Sequence, residues 1–336
     1  HSAQFARPSL PQFSLLSSAR KMSQMSSGFN RSLARLQKTS HEEGNPLEPA
    51  EIDPTRHVLI AGPTASGKSA LALGLARAQG GIVVNADALQ VWSCWRGLSA
   101  RPSASEEAEV PHALYGHVAP GADYSVGHWL REMQGLLASG QRLIVTGGTG
   151  LYLSALTEGL SNISATSPEV RALADARVAR EGAGALLAEL DAATLARIDQ
   201  ANPRRVQRAW EVQTSTGRGL AAWQDATPPP LLPLSACTAL VIETERDWLA
   251  ARIDARFSAM LRAGALDEVR AVLPFWQPYA LWAKAIGAPE LVAYLRGEMS
   301  LQVATEAAQA ASRQYAKRQR TWFRGHMRAW HKIARA

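Results

Sequence analysis

The apolar positions of this chain change rhythm twice. Residues 1 to 56 are rich in Ser, Arg, Gln and Pro with little periodicity, which predicts a disordered extension. From residue 57 strand-sized apolar runs alternate with helical spacing. HVLIA (57–61) reads as a buried strand, SALALGLARAQ (69–79) as a helix closed by Gly80 and Gly81, and IVVNAD (82–87) as a short run ending in a carboxylate. YSVGHWLREMQGLLASG (124–140) has helical spacing, and RLIVTGGTG (142–150) is a strand running into a glycine-rich turn. Residues 163 to 226 then carry only helical spacing, TPPPLLPL (227–234) is a stiff connector, ALVIE (239–243) returns to a strand, and a long helix is expected from Ser300 to Phe323. Strands alternating with helices imply a parallel sheet that binds ligands at the carboxyl ends of its strands. The expected fold class is α/β, with an all-helical insertion at 163–236 inside a core formed by 57–162 and 237–336.

Charge sharpens this picture at the ends. The formal net charge of +7 is unevenly spread: residues 1–41 hold six basic side chains and 313–336 hold eight, with no acid in either, while the remainder holds 22 basic against all 29 acidic residues. The final helix is therefore strongly basic, as a polyanion-binding surface would be. The Arg- and Ser-rich leader reads either as a transit peptide or as an upstream extension, since Met22 and Met25 lie inside it. No apolar run approaches the roughly 18 residues of a membrane span. The two cysteines, Cys94 and Cys237, lie far apart without a CxxC, which excludes a disulfide framework or a zinc site from consideration and suits a cytoplasmic protein.

The chemistry begins at GPTASGKS, comprising Gly62, Pro63, Thr64, Ala65, Ser66, Gly67, Lys68 and Ser69. In such a loop the glycines let backbone N–H groups curl around a phosphate. The following helix offers its positive end, Lys68 reaches the outer phosphate oxygens, and Ser69 can ligate Mg²⁺. The loop alone does not name a reaction, because a nucleotide kinase or an ATPase would use the same cradle for ATP. Such enzymes carry a metal-holding acid at the end of a second strand, and RLIVTGG has none; the strand-end carboxylate is Asp87.

With GPTASGKS, NADALQVW, GGTGLYLSAL and RQYAKRQRTWFR in that order, the chain resembles the tRNA dimethylallyltransferases across residues 57 to 324. The resemblance implies a P-loop NTPase-like fold whose loop holds the diphosphate of dimethylallyl diphosphate, with Mg²⁺ assisting. The five-carbon group would move to N6 of adenine 37 in tRNA. Asp87 matches the carboxylate that orients the amine and takes its proton, Lys68 and Thr149 of GGTG match groups that stabilise the leaving diphosphate, and Arg256 of RIDARF matches a diphosphate-binding arginine. Asp87, Ala88, Leu89 and Gln90 would line the arrival site of a flipped base, with Thr149 beside them. The insertion would grip the anticodon stem-loop through Arg171 and the run Arg204, Arg205, Val206, Gln207 and Arg208, although its eight basic and eight acidic residues would not mark it by charge. Arg313, Lys317 and Arg320 are the expected phosphate contacts of the last helix, with Tyr315 and Trp322 mainly structural. A monomer without membrane attachment is expected.

Four positions depart from the family pattern, in three places. Ala288 and Pro289 replace a Tyr-Lys or Tyr-Arg pair after Ile-Gly, Trp92 replaces a tyrosine, and Arg101 replaces a lysine. The rival reading is a P-loop kinase of a small molecule or nucleotide, which would consume ATP without RNA.

Overall fold

The computed structural model describes residues 52–335. Six parallel strands form one sheet in the order β3-β2-β4-β1-β5-β6. They are β1 (His57–Ala61), β2 (Ile82–Asn85), β3 (His112–Ala113), β4 (Leu143–Gly147), β5 (Cys237–Thr244) and β6 (His331–Arg335). β1 lies between β4 and β5, with Leu59 opposite both Val145 and Ala239. That central place explains why the strand reads as a continuous apolar run: both of its faces are covered.

The two faces follow the period of two along each strand. Leu59 and Ala61 join Val145, Trp129, Leu153 and Leu156 in one cluster, under α3 (Val126–Ala138) and α4 (Gly150–Glu158). Val58 and Ile60 join Leu240, Ile242, Ala72 and Leu75 in another, under α1 (Lys68–Gln79). A third cluster, built around Trp95, Trp282 and Phe257, packs α10 (Arg246–Arg262), α11 (Ala265–Val272), α12 (Ala288–Leu295) and the start of α13 (Leu301–His326). Its centre is pinned by the indole N–H of Trp95, which donates to the Trp282 carbonyl at 2.8 Å. Between β2 and β3 lies the short α2 (Ala104–Glu109), closed by a capping box of Ser103 and Glu106.

The segment after α4 is helical, as its spacing predicts: α5 (Pro168–Glu181), α6 (Gly184–Leu187), α7 (Ala192–Arg197), α8 (Pro203–Thr216) and α9 (Leu220–Asp225). It has its own apolar cluster of Ala174, Leu186, Leu190, Val206, Ala209 and Trp210.

Three differences from the sequence reading have physical causes. β6 was not foreseen because HKIAR has a single apolar residue; it is an edge strand with only Ile333 buried. β3 is two residues long and carries no pattern. The boundary at 57 is too late: Ile52 is buried among the residues beneath α1, and Arg142 donates to the Arg56 carbonyl at 2.9 Å. The rest of the expected extension, residues 1–51, lies outside the described residues.

Candidate active site

The loop from Gly62 to Gly67 joins β1 to α1 at the carboxyl edge of the sheet. Its curl needs two left-handed residues, Gly67 at φ 91° and Ala65 at φ 62°. A non-glycine residue there is strained, and such strain is found where a loop must hold a set shape for a ligand. The carbonyl of Ala65 accepts from Arg252 Nε at 3.0 Å, and the Thr64 hydroxyl accepts from Arg256 at 3.5 Å. Arg252 and Arg256 are one helical turn apart on α10, so both reach the loop from the same face. Lys68 is buried, with Nζ donating to the Pro63 carbonyl at 3.4 Å. Burial pushes its pKa down to about 8; Asp87 opposes this and Arg256 adds to it. Burial likewise lowers Arg256, again opposed by Asp87. This is an electropositive site, with Lys68 buried and Arg256 half-buried.

Asp87 lies just past β2, 9 % exposed. Its N–H donates to Asn85 Oδ1 at 2.8 Å, and the Asn85 amide donates to the Asp87 and Leu114 carbonyls at 3.0 Å. One carboxylate oxygen, Oδ1, accepts from the Leu89 N–H at 3.0 Å, which leaves Oδ2 for a ligand. Thr149 begins α4, but its hydroxyl does not cap the helix; it accepts from the Ala88 N–H at 2.9 Å and tethers the Asp87–Gln90 turn to the GGTG turn. Gln90 is buried and uses both amide hydrogens on the carbonyls of Ser99 and Ala100, at 2.8 and 3.0 Å, so only its oxygen is left to a base edge.

Two adjacent cavities are lined by residues of these loops. The first, about 280 Å³, is lined by Lys68, Ser69, Arg101, Arg252 and Arg256, with Glu106 as its one carboxylate. The second, about 60 Å³, carries Asp87 and Tyr315 and an apolar wall of Leu98, Ile253, Phe257, Met260 and Ile286. Ala65 and Arg256 line both. A cationic chamber thus lies next to an apolar one that carries a carboxylate, which suits a molecule with an anionic head and a short hydrocarbon tail.

Gln319, Arg252 and the apolar wall were not singled out by sequence. Gln319 is buried; its oxygen accepts from the Thr64 N–H and its amide donates to the Gly148 carbonyl, both at 2.9 Å. Tyr315, expected to be mainly structural, lines the smaller cavity. Helical spacing carried a usable signal: Arg252 is four residues before Arg256, and Gln319 four after Tyr315.

The remaining candidates separate into free and committed groups. Arg171, Arg204 and Arg205 are exposed on α5 and α8. Arg208 instead donates to Thr166, at 2.6 Å, and Gln207 to Asp175 and Glu211, at 2.7 and 3.0 Å. The Val206 side chain is 1 % exposed inside the helical cluster, so it is a packing residue there. On α13, Arg313 pairs with Asp254, while Lys317 and Arg320 have no ion-pair partner among the described residues.

The IPP transferase family model matches residues 90–326, and the isopentenyl transferase model matches residues 55–112. This chain belongs to the IPP transferase family. It is 66 % identical over 283 residues to the tRNA dimethylallyltransferase of Cereibacter sphaeroides, covering 84 % of this chain and 90 % of that one. It is 63 % identical over 287 residues to the tRNA dimethylallyltransferase of Paracoccus denitrificans, covering 84 % and 95 %. Among solved structures it is similar to the full-length tRNA isopentenylpyrophosphate transferase of Bacillus halodurans, at 30 % identity and TM-score 0.59, covering 83 % and 90 %. The fold is also that of a eukaryotic dimethylallyltransferase acting on tRNA, at 24 % identity and TM-score 0.67, covering 80 % and 69 %.

The departures from the family pattern find structural places. Ala288 is fully buried at the start of α12 and Pro289 occupies the first turn, where a missing N–H costs nothing. Trp92 is buried edge-on against Tyr124, with ring centroids 6.4 Å apart. Arg101 keeps a positive charge on the larger cavity, and its Nε is buried without a partner among the described residues. As for Mg²⁺, no group of three or more His, Cys, Asp or Glu among the described residues could hold a metal. The exposed Ser69 hydroxyl on the cationic cavity fits a magnesium ion bound mainly through substrate phosphates and water.

Proposed function

We propose that this protein transfers the dimethylallyl group of dimethylallyl diphosphate to N6 of adenine 37 in tRNA, acting as a cytoplasmic monomer. The observation that carries the reading is the pair of adjacent cavities, cationic at the loop and apolar beside Asp87. The diphosphate sits against the loop amides, Lys68, Arg252 and Arg256. The five-carbon chain lies along Ile253, Phe257 and Met260. The C1–O bond breaks with its electron pair leaving on the diphosphate, and the fixed donors stabilise that charge without reorganising. N6 of the everted adenine bonds to C1 and gives its proton to Asp87 Oδ2, while the Leu89 N–H holds the other carboxylate oxygen. Gln319 and Thr149 keep the two catalytic loops in register. Magnesium held by Ser69 and the substrate would neutralise charge on the diphosphate.

Arg171, Arg204 and Arg205 are the insertion residues free to contact the anticodon stem-loop, with Lys317 and Arg320 contributed by α13. Arg208 and Gln207 join only if their present bonds exchange. No observation favours the kinase reading: β4 ends in Thr146 and Gly147 rather than a metal-holding acid. The test is incubation with Mg²⁺, dimethylallyl diphosphate and unmodified tRNA, followed by digestion and a search for isopentenyladenosine. Its absence, or phosphoryl transfer from ATP in a parallel reaction, would overturn the proposal.

A further inference from the structure

The stripe of α10 that carries Arg252 and Arg256 runs on to Met260, each residue four after the one before. Arg252 lines the cationic cavity, Arg256 lines both cavities, and Met260 lines the apolar one alone. The helix thus measures out a ligand with an anionic head and an apolar tail. Four residues at 1.5 Å each place Met260 about 6 Å further along the axis than Arg256, close to the reach of one five-carbon unit.

Three other members of the apolar wall are fixed. Gly287 has φ 94°, and a β-carbon built on it would lie 2.6 Å from the ring of Phe257 and 3.2 Å from Leu98, so both side chains are seated against its backbone. The Leu98 N–H also donates to Glu268 at 3.0 Å. Leu98, Ile253 and Phe257 are no more than 4 % exposed, and close packing leaves them no room to withdraw. Met260 differs: it is half-buried and rests on the cluster around Trp95 and Trp282. Its unbranched side chain fills the space that the rigid members leave, beside a cavity of about 60 Å³.

We propose that Met260 sets the length of the prenyl donor, closing the apolar cavity one five-carbon unit from the diphosphate site and turning away a ten-carbon chain. This deepens the proposed prenyl transfer and rests on it. A longer donor would react by the same exchange, C1–O breaking toward the diphosphate and C1–N6 forming as Asp87 takes the proton, so the limit is one of space. The second isoprene unit has to displace the end of Met260, and the fixed wall beside it cannot take that volume up. Met260→Ala removes the obstruction and leaves Leu98, Ile253 and Phe257 in place.

The test measures binding of dimethylallyl diphosphate and of geranyl diphosphate to the full chain by calorimetry, then kcat/KM for each donor with Mg²⁺ and unmodified tRNA. The wild type should favour the five-carbon donor by at least about tenfold, the lower end of what an apolar pocket discriminates. Met260→Ala should raise the ratio of geranyl to dimethylallyl affinity by about 10–200-fold, and the digested tRNA should then contain a geranylated adenosine. Met260→Leu, which nearly keeps the volume, should hold the wild-type ratio. Equal affinity of the wild type for the two donors overturns the inference, as does an unchanged ratio in Met260→Ala. The wild-type comparison needs no variant to fold, and binding is read without tRNA, so failure of prenyl transfer and failure of the length limit are separate results.

Discussion

The Thr64 N–H donates to the Gln319 side-chain oxygen over 2.9 Å, which ties the phosphate loop to a helix 255 residues further along the chain. The Gln319 amide reaches the Gly148 carbonyl, so one buried side chain sets the spacing of the Gly62–Gly67 loop and the GGTG turn. Gln319→Leu should leave both backbone groups unpaired and cost roughly 2–6 kcal/mol in urea denaturation, at about 1–3 kcal/mol for each group. The KM for the prenyl donor should rise as well. Wild-type stability and KM together would exclude the clamp.

Asp87→Asn keeps an oxygen for the Leu89 N–H and so preserves the turn. It removes the group proposed to take the N6 proton. Turnover should fall by about 10²–10⁴ while donor affinity changes little, measured by single-turnover kinetics and calorimetry. A tenfold or smaller loss would assign Asp87 to structure.

Lys68 titrates near 8 in the folded chain, against an ordinary value of 10.5. Above about pH 8 the free enzyme loses this charge, so the donor KM should climb there. The effect on stability has the opposite sense. Between the two values the unfolded chain holds more protons than the folded one, so this group makes the ligand-free protein more stable as pH rises. Lys68→Met should therefore raise the melting temperature at pH 7 without ligand and abolish donor binding. A lower melting temperature would show that the buried ammonium is fully compensated.

Glu268 of α11 accepts three backbone N–H groups, from Arg96, Gly97 and Leu98, at 3.1, 2.7 and 3.0 Å. These bonds place Leu98 on the apolar wall, and Arg101 follows three residues later. Glu268→Ala should cost roughly 2–4 kcal/mol in chemical denaturation, since part-buried donors lose their acceptor. It should also slow turnover with short prenyl donors more than it weakens binding of inorganic diphosphate. Equal losses in the two assays would mean that the loop acts only on stability.

Much of this was legible along the chain because the relevant contacts are local. β1, α1, β2 and β4 each announce themselves by periodicity, and the loop before Lys68 by its glycines. The edge strand β6 was not, since an edge strand needs only one buried side chain and HKIAR supplies only Ile333. Gln90 was read as lining the arrival site of the base, but both its amide hydrogens are taken by the carbonyls of Ser99 and Ala100, a contact invisible in DALQ. Val206 shows the same limit: within RRVQR it looks like part of a contact run, while helical geometry turns it into the cluster with Trp210.

The sequence by itself determined the alternation of strands and helices, the phosphate loop, the position of Asp87 and the basic character of the last helix. All of these follow from residue type and spacing of a few positions. Only the tertiary structure decided that Arg252, Gln319 and Tyr315 belong with that loop, and that an apolar wall from α10 faces Asp87. Those relations join segments up to 255 residues apart, and they arise because a parallel sheet gathers the carboxyl ends of distant strands on one edge.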